Sequence, residues 1–216
     1  MAKKTWGYGL LSPDLPADED LVPCSVETID DEQDYERVLV RGQRPAATLD
    51  RLTILTSRLD QVVWPAAKLP EILLRDVQAT TCDFSNAQMP GSEFQQVELV
   101  GAKLIGIDFT SAAWRNVVLT RCNLSFCTWR GAKLKNCRFE DCEMGDVDFD
   151  QTQLESVEWV DCRMRRGRFY GARLTESKLL RCDLQDLGAA ADDLRKLKID
   201  SAGWLQLAPL FDVVIE

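Results

Sequence analysis

The sequence predicts an all-β solenoid, a four-sided parallel β-helix of short strands and tight corners. A large apolar residue, always Leu, Phe, Met or Trp, stands at every fifth position from Phe84 to Leu184. A small or β-branched residue stands two places before each of them, from Cys82 to Cys182. A period of five matches neither the 3.6 residues of a helical turn nor the two-residue repeat of a flat strand.

Each unit of five buries two side chains, exposes three and ends in a corner. The segment Met89-Pro90-Gly91-Ser92 has Pro and Gly where a type II turn needs them. Other corners carry Gly or Asn in the same phase, while Asp, Arg or Ser at the rest predicts a second, looser turn type. Four such units close a square, so residues twenty apart should stack about 4.8 Å from one another.

Several units resemble one known sequence pattern. Ala102-Lys103-Leu104, Cys122-Asn123-Leu124, Ala132-Lys133-Leu134 and Cys182-Asp183-Leu184 are similar to the A/C-D/N-L core of pentapeptide repeat proteins. The resemblance implies a right-handed quadrilateral β-helix. It also implies a heterogeneous set of functions, because some members protect DNA gyrase from quinolones by imitating DNA, whereas others do not.

The repeat phase sets the predicted domain boundaries. It continues upstream of Phe84 to Leu49, so the β-helix is placed at residues 45–187, with about seven coils and a rise of about 34 Å. An irregular cap over residues 45–72 is the alternative. Residues 1–44 are predicted as an acidic cap or tail, because Asp14 to Glu36 contains ten carboxylates and no Lys or Arg.

Residues 188–216 are predicted as a C-terminal cap with a short α-helix. Ser201 can cap a helix over about 202–211, and its apolar face would carry Trp204, Leu207, Leu210 and Phe211. Two interpretations stay open. The helix can seal its own solenoid, or it can form a homodimer contact, which is what the resemblance implies for gyrase-binding members.

The cysteines are predicted to be free, buried core residues. Seven of the eight, all but Cys24, occupy the small inward position, and the chain contains no His to complete a zinc site. Free thiols indicate a reducing compartment, and the sequence shows neither a targeting signal nor a long apolar span, so a cytoplasmic location is expected. We predict no enzyme activity, no catalytic residue, no cofactor and no metal site.

The surface charge is uneven along the predicted coils. We define the acidic belt as the nine carboxylates of one coil: Glu140, Asp141, Glu143, Asp146, Asp148, Asp150, Glu155, Glu158 and Asp161. Five arginines follow one coil later, at positions 163, 165, 166, 168 and 173. The two groups can form cross-strand pairs such as Glu143 with Arg163 and Asp148 with Arg168. Alternatively, the acidic belt can bind a basic partner.

These observations favour a non-catalytic protein-protein interaction module or scaffold. The alternative is a DNA-mimicking modulator of DNA gyrase or topoisomerase that gives resistance to topoisomerase poisons. Residues 80–186 hold 16 carboxylates and 14 Lys or Arg, a net charge of only −2, although the whole chain carries −9. B-DNA has about one charge per 1.7 Å. The expected partner is another protein, with DNA gyrase as the specific candidate, and no direct nucleic acid or membrane binding is expected.

Overall fold

The chain forms a parallel β-solenoid that ends in one short α-helix, as the five-residue period predicted. The computed structural model describes residues 10–30 and 33–211. The strands are β1 Val22–Ser25, β2 Asp34–Glu36, β3 Val38–Arg41, β4 Thr53–Asp60, β5 Leu73–Thr80, β6 Glu93–Val100, β7 Ala113–Thr120, β8 Lys133–Glu140, β9 Gln153–Glu155, β10 Glu158–Val160, β11 Arg173–Thr175, β12 Lys178–Leu180 and β13 Lys198–Ile199, followed by α1 Ser201–Leu207.

The sheet register repeats every twenty residues. Leu74 pairs with Phe94, and Phe94 with Trp114, in parallel ladders that run from β4 to β8. The same offset continues to the last strand, where Lys178 pairs with Lys198. We number the four faces of each coil in chain order, so that Asp83, Gln88, Glu93 and Glu98 mark the first to the fourth face.

The solenoid has about nine turns, two more than the sequence predicted. Ten strands follow one another along the fourth face, beginning with β1 and β3. These two strands stack without the twenty-residue offset, because Val22 pairs with Val38 and Leu39 pairs with Arg58. The first coils therefore do not follow the five-residue period from which the other coils were predicted.

Every corner places one residue at a positive φ. Each fifth residue from Arg51 to Asp186 has a positive φ, whichever side chain it carries. The corners after the first and second faces are closed by a backbone hydrogen bond, as from Ala87 N to Phe84 O at 3.0 Å. The corners after the third face lie inside the long strands β4–β8. The sequence had suggested that the residue at the corner decides the turn type. In the structure, the turn type instead depends on the place of the corner in the coil.

The interior is filled by large side chains that stack from coil to coil. Phe109, Trp129, Phe149 and Phe169 form a column with ring centroids 5.2, 4.8 and 5.1 Å apart. Each is at most 1% exposed. Aromatic stacking along this column adds to the hydrophobic burial that holds successive coils together.

Side chains of the chain itself cover the N-terminal end. A 3-10 helix at Val26–Thr28 places Val26 and Ile29 in the core, each 1% exposed. The Arg44 guanidinium lies 5.0 Å from the Trp64 ring centroid and donates hydrogen bonds to the carbonyls of Val26 and Ile29. The guanidinium thereby links this capping segment to the solenoid through the backbone carbonyls of Val26 and Ile29.

The segment before β1, residues 10–20, runs along the corner between the third and fourth faces and ends in a 3-10 helix at Asp18–Asp20. Three contacts with the solenoid fix it: Gln96 Nε2 to Ser12 O at 3.3 Å, Asp14 N to Asp76 Oδ1 at 3.0 Å, and the ion pair of Asp18 with Arg58. Asp31 and Glu32 of the predicted acidic run lie outside the described residues, as do residues 1–9 and 212–216 of the two predicted end segments.

The C-terminal helix packs its buried face on its own solenoid. Asp200, and not Ser201, caps α1, because its side chain accepts a hydrogen bond from Gly203 N at 2.8 Å. Leu207 is 2% exposed and belongs to the continuous core. A 3-10 helix at Ala208–Phe211 completes this end of the described chain.

The Gln206 side chain substitutes for the missing next coil. Its Oε1 accepts a hydrogen bond from Leu184 N at 2.8 Å, and its Nε2 donates to Cys182 O at 3.2 Å. Inside the solenoid, the backbone of Asn123 makes the same pair of bonds to the preceding coil, at 2.8 and 2.9 Å. The amide group thus caps an open sheet edge that could otherwise pair with another chain.

Candidate functional site

The acidic belt is located on one coil, but its members differ in burial. Asp141, Glu143, Glu155 and Asp161 are exposed, as expected for outward positions. Asp150 is only 3% exposed, because the neighbouring coil folds over it. Asp150 therefore does not belong to an exposed acidic surface, and the sequence prediction that placed it there is wrong.

Asp150 binds groups of the next coil. Its Oδ1 accepts a hydrogen bond from Tyr170 N at 3.0 Å, and its Oδ2 pairs with the Arg168 guanidinium. Arg130 approaches the same oxygen at 3.8 Å. A buried carboxylate needs such partners, so this residue joins two coils instead of presenting charge to solvent.

Most of the other belt carboxylates are paired as well. Seven of the nine contact a Lys or Arg of the same or an adjacent coil: Glu140 with Arg138, Glu143 with Arg163, Asp146 with Arg166, Asp150 with Arg168, Glu155 with Lys135, Glu158 with Arg138 and Lys178, and Asp161 with Arg181. The cross-strand interpretation of the charge pattern is therefore supported by the geometry.

One of the two predicted pairs is present and the other is not. Glu143 pairs with Arg163 directly across the strands. Asp148 and Arg168 also lie opposite each other, but Arg168 turns to Asp150. Asp148 Oδ1 instead accepts a hydrogen bond from Asp150 N at 2.8 Å, which ties the carboxylate to its own corner.

Two bidentate ion pairs lower the pKa of a belt carboxyl group. Arg166 donates two hydrogen bonds to Asp146, at 2.6 and 2.7 Å, and lowers the pKa of that carboxyl below its ordinary value of 3.8. Arg181 does the same to Asp161, with both bonds at 2.7 Å, and lowers its pKa too. Planar guanidinium groups favour this two-point contact.

Asp141 and Asp148 are the belt carboxylates that have no cationic partner in the described part of the chain. Asp141 is exposed at a corner between the fourth and first faces, with φ of 53°. Its charge is directed to solvent and is not neutralised by a neighbouring coil. Within the acidic belt, Asp141 is thus the side chain best placed to meet a partner.

All eight cysteines are free, and five of the seven inward ones, Cys82, Cys122, Cys142, Cys162 and Cys182, lie in one column, while Cys127 and Cys137 lie on other faces. Thiols of this column donate to a carbonyl of the preceding coil, as Cys162 Sγ does to Phe139 O at 3.4 Å. Burial raises the pKa of Cys82 to about 11, and of Cys127 and Cys137 to about 12. With these raised pKa values the three groups remain protonated thiols. A protonated thiol is a poor nucleophile and a poor metal ligand, because thiolate is the reactive and metal-binding form.

The four candidate dimer residues divide into two sets. Leu207 is buried in the core, whereas Trp204 is 40% exposed and its ring lies 5.1 Å from that of Phe211. Leu210 and Phe211 are half-buried. Sequence reasoning missed Leu205, which is 56% exposed beside Trp204. The sequence did contain an indication that Leu205 is exposed, because this apolar residue follows Trp204 directly and lies on the outer side of a short helix.

Two features are absent from the part of the chain that the structure describes. No group of three or more His, Cys, Asp and Glu side chains is placed to hold a metal ion within residues 10–30 and 33–211. Over the same ranges, no helix combines the length and the hydropathy that a membrane crossing requires.

Comparison with known proteins identifies the repeat. A family model described as a pentapeptide repeat region matches residues 108–188, and a second, of pentapeptide repeats in eight copies, matches residues 72–110. A search of curated protein sequences finds no match.

Solved structures of similar architecture include two described by function. One is a trypsin-treated form of QnrB1, a plasmid-mediated fluoroquinolone resistance protein, which is 18% identical, with a TM-score of 0.32 over 81% of this chain and 100% of that chain. The other is HetL, involved in heterocyst differentiation regulation in the cyanobacterium Nostoc. It is 14% identical, with a TM-score of 0.26 over 78% of this chain and 87% of that one.

The family assignment depends on the repeats themselves. The two family models together span residues 72–188, more than half of the 216 residues. The twenty-residue register and the stacked inward columns are present over the same span. The chain belongs to the pentapeptide repeat proteins.

Proposed function

We propose that this protein is a non-catalytic interaction module whose exposed faces bind another protein. The observation that carries the proposal is the exposed, unpaired carboxylate of Asp141, held at a fixed corner of a rigid ladder. The interior of the coils is filled by side chains, so binding must use the outer surface. A preorganised charge at a fixed position favours recognition with little loss of conformational entropy.

The test compares two matched corner substitutions. Asp141→Lys reverses a charge in the acidic belt, and Glu71→Lys reverses one outside it, at another exposed corner with φ of 56°. We expect affinity purification to recover a partner with wild type and with Glu71→Lys, and to lose it with Asp141→Lys. Calorimetry with the purified partner then measures the change in affinity.

If no protein distinguishes the two variants, the acidic belt is not the binding surface. If both variants lose the partner equally, overall charge and not the belt position controls binding. Circular dichroism spectra and melting curves of both variants establish that the solenoid is intact, which we expect because neither carboxylate has an ion pair to lose.

A modulator of DNA gyrase that imitates DNA is the second candidate. The net charge of −9 and the acidic belt favour it. The pairing of seven belt carboxylates with Lys or Arg opposes it, because paired charges give a weaker field than the phosphates of DNA. A gyrase supercoiling assay with and without a fluoroquinolone tests this candidate. If micromolar protein neither inhibits nor protects the enzyme, it is rejected, while the interaction module stands.

We also propose a homodimer contact through the outer face of α1, where Trp204 and Leu205 are exposed. Light scattering should give twice the chain mass of 24.4 kDa for wild type. Trp204→Glu should give the monomer mass, and Lys196→Glu, at an exposed position nearby, should leave the dimer unchanged. A wild-type mass of one chain at all concentrations would reject the contact and leave only the role of Leu207 in sealing the solenoid.

A further inference from the structure

A shallow depression of about 390 Å³ lies on the third face, across β5 to β9. Its centre is Ala113, which is flanked across the strands by Glu93 and Lys133. The methyl group of Ala113 is too small to fill the space that longer side chains fill in the neighbouring coils. The result is a hollow above the buried Trp114, bordered by long charged side chains.

Three cations border one side of the depression: Arg115, Lys133 and Lys135. Arg115 and Lys135 are direct cross-strand neighbours in β7 and β8. Like charges in this arrangement repel and destabilise the sheet. In the acidic belt, by contrast, cross-strand neighbours such as Glu143 and Arg163 have opposite charges.

The counter-charge on this face is incomplete. Lys135 pairs with Glu155 at 2.5 Å, but Arg115 and Lys133 form no ion pair with any described residue. Both side chains are exposed. On a protein with a net charge of −9, two neighbouring cations without partners form a local site for an anion.

The chain does not supply that anion from its own described N-terminal segment. That segment passes along the next corner, where Gln96 binds Ser12 O, and its acidic residue Asp18 pairs with Arg58. The nine residues that precede Leu10 contain two lysines and no carboxylate. The described N-terminal segment therefore leaves Arg115 and Lys133 open to a carboxylate of another molecule.

We propose that this depression binds an extended acidic segment of a partner protein, with its carboxylates on Arg115 and Lys133. The occupied corner beside it shows that this side of the solenoid accepts extended chain, because Gln96 and Asp76 bind the backbone of residues 12 and 14. The site borders the acidic belt at Glu155, but its unpaired side chains Arg115 and Lys133 have the opposite charge, so the inference goes beyond the proposed function and does not depend on it.

A labelled oligoglutamate peptide is the probe for this site. We expect fluorescence anisotropy to show saturable binding to wild type that weakens several-fold as salt rises from about 50 to about 300 mM. The double variant Arg115→Ala, Lys133→Ala should weaken binding by about tenfold or more. The matched control Lys68→Ala, Arg121→Ala removes two exposed cations elsewhere and should change affinity by less than about twofold.

A second variant tests the hollow without changing charge. Ala113→Leu should fill it and weaken peptide binding, while melting curves report whether the sheet is intact. Absence of binding to wild type, or equal weakening in the control variant, would overturn the proposal. If a single-stranded oligonucleotide binds more tightly than the peptide and is lost in the same variants, the site binds phosphates and the assignment to an acidic protein segment is wrong.

Discussion

At the scale of single residues, the corners impose a left-handed backbone on side chains that do not favour it. Glycine at Gly101 or Gly131 adopts this conformation freely, whereas Thr56 and Phe126 adopt it at a cost of about 1–2 kcal/mol each. Stacking on the coils above and below holds them there. The side chain at a corner is therefore selected for its contacts as well as for its backbone preference.

Phe126 offers a direct measure of this cost. It has φ of 63° and is 63% exposed, so its ring gains little from burial. We expect Phe126→Asn to raise the free energy of unfolding by about 0.5–1 kcal/mol, because Asn tolerates positive φ. Urea denaturation measures the change. A loss of stability would mean that the ring contributes more through its contacts than the backbone costs.

Gly106, in the same corner column one coil earlier, is the matched control. Its φ is +68°, and an added Cβ would lie 2.8 Å from Asn86 Oδ1. Gly106→Ala should therefore lower the free energy of unfolding by about 1 kcal/mol or more, in the opposite direction to Phe126→Asn. Equal effects from the two substitutions would contradict the explanation.

Asp150 provides the second prediction at this scale. Asp150→Ala removes a buried carboxylate, which is 3% exposed, and leaves Tyr170 N and the half-exposed Arg168 guanidinium without their acceptor. We expect a loss of about 1–3 kcal/mol in the free energy of unfolding. Asp141→Ala, at an exposed carboxylate without an ion pair, should change it by less than about 0.5 kcal/mol. Similar losses in both variants would show that the burial of Asp150 does not determine its contribution to the free energy of unfolding.

The sequence predicted which side chains point inward, but not which outward ones become covered. Cys142 and Val147 follow from the period alone, and both are at most 2% exposed. Asp150 occupies an outward position, and its burial depends on how Tyr170 and Arg168 of the next coil fold across it. Such contacts depend on side-chain rotamers, which a repeat pattern does not specify.

At the scale of elements, the two ends of the solenoid show how open edges are closed. At the C-terminal end, side chains replace the backbone of a coil that does not exist. Gln206 binds Leu184 N and Cys182 O, Asp193 accepts from Gly171 N at 2.9 Å, and the Asp200 carboxylate accepts from Arg181 N. These bonds satisfy groups of the last coil that would otherwise have no partner.

Replacement of Gln206 should expose this edge. Gln206→Met keeps the shape but removes both hydrogen bonds, so the Leu184 amide should exchange its hydrogen faster, and the free energy of unfolding should fall by about 1–2 kcal/mol. Gln206→Glu keeps the acceptor for Leu184 N and should protect that amide better than Met does. Unchanged exchange in Gln206→Met would mean that solvent or another group closes the edge equally well.

The elements that the sequence missed are those that break the period. β1 and β3 lie before residue 45 and stack at spacings other than twenty, so no pattern of five marks them. The C-terminal helix was predicted from its apolar residues, but its cap was assigned one residue too late. Ser201 and Asp200 are both good capping residues, and only the contact of Asp200 with Gly203 decides between them.

At the scale of the whole molecule, ion pairs between coils link stability to pH. Arg166 lowers the pKa of Asp146, and Arg181 lowers that of Asp161. Backbone hydrogen bonds from Arg181 and Gly203 lower the pKa of Asp200. A carboxyl whose pKa is lower in the folded state stabilises the fold at neutral pH, and this contribution is lost as pH falls and the group becomes protonated.

We therefore expect the melting temperature to stay nearly constant between about pH 8 and pH 5, and to fall below about pH 4.5. The double variant Asp146→Asn, Asp161→Asn should melt at a lower temperature at pH 7 and lose less on acidification, because two of the titrating groups are gone. Calorimetric melts across this pH range measure both effects. Parallel curves for wild type and variant would contradict the role of these pairs.

The twenty-residue register also constrains how the length of this protein can change. A duplicated coil of twenty residues would lengthen the solenoid by about 4.8 Å and leave every surface facing its original direction. An insertion of one five-residue unit would instead rotate everything that follows by about a quarter turn. The number of five-residue units before a binding surface thus sets the direction in which a bound partner is held, and this direction changes in steps of about 90°.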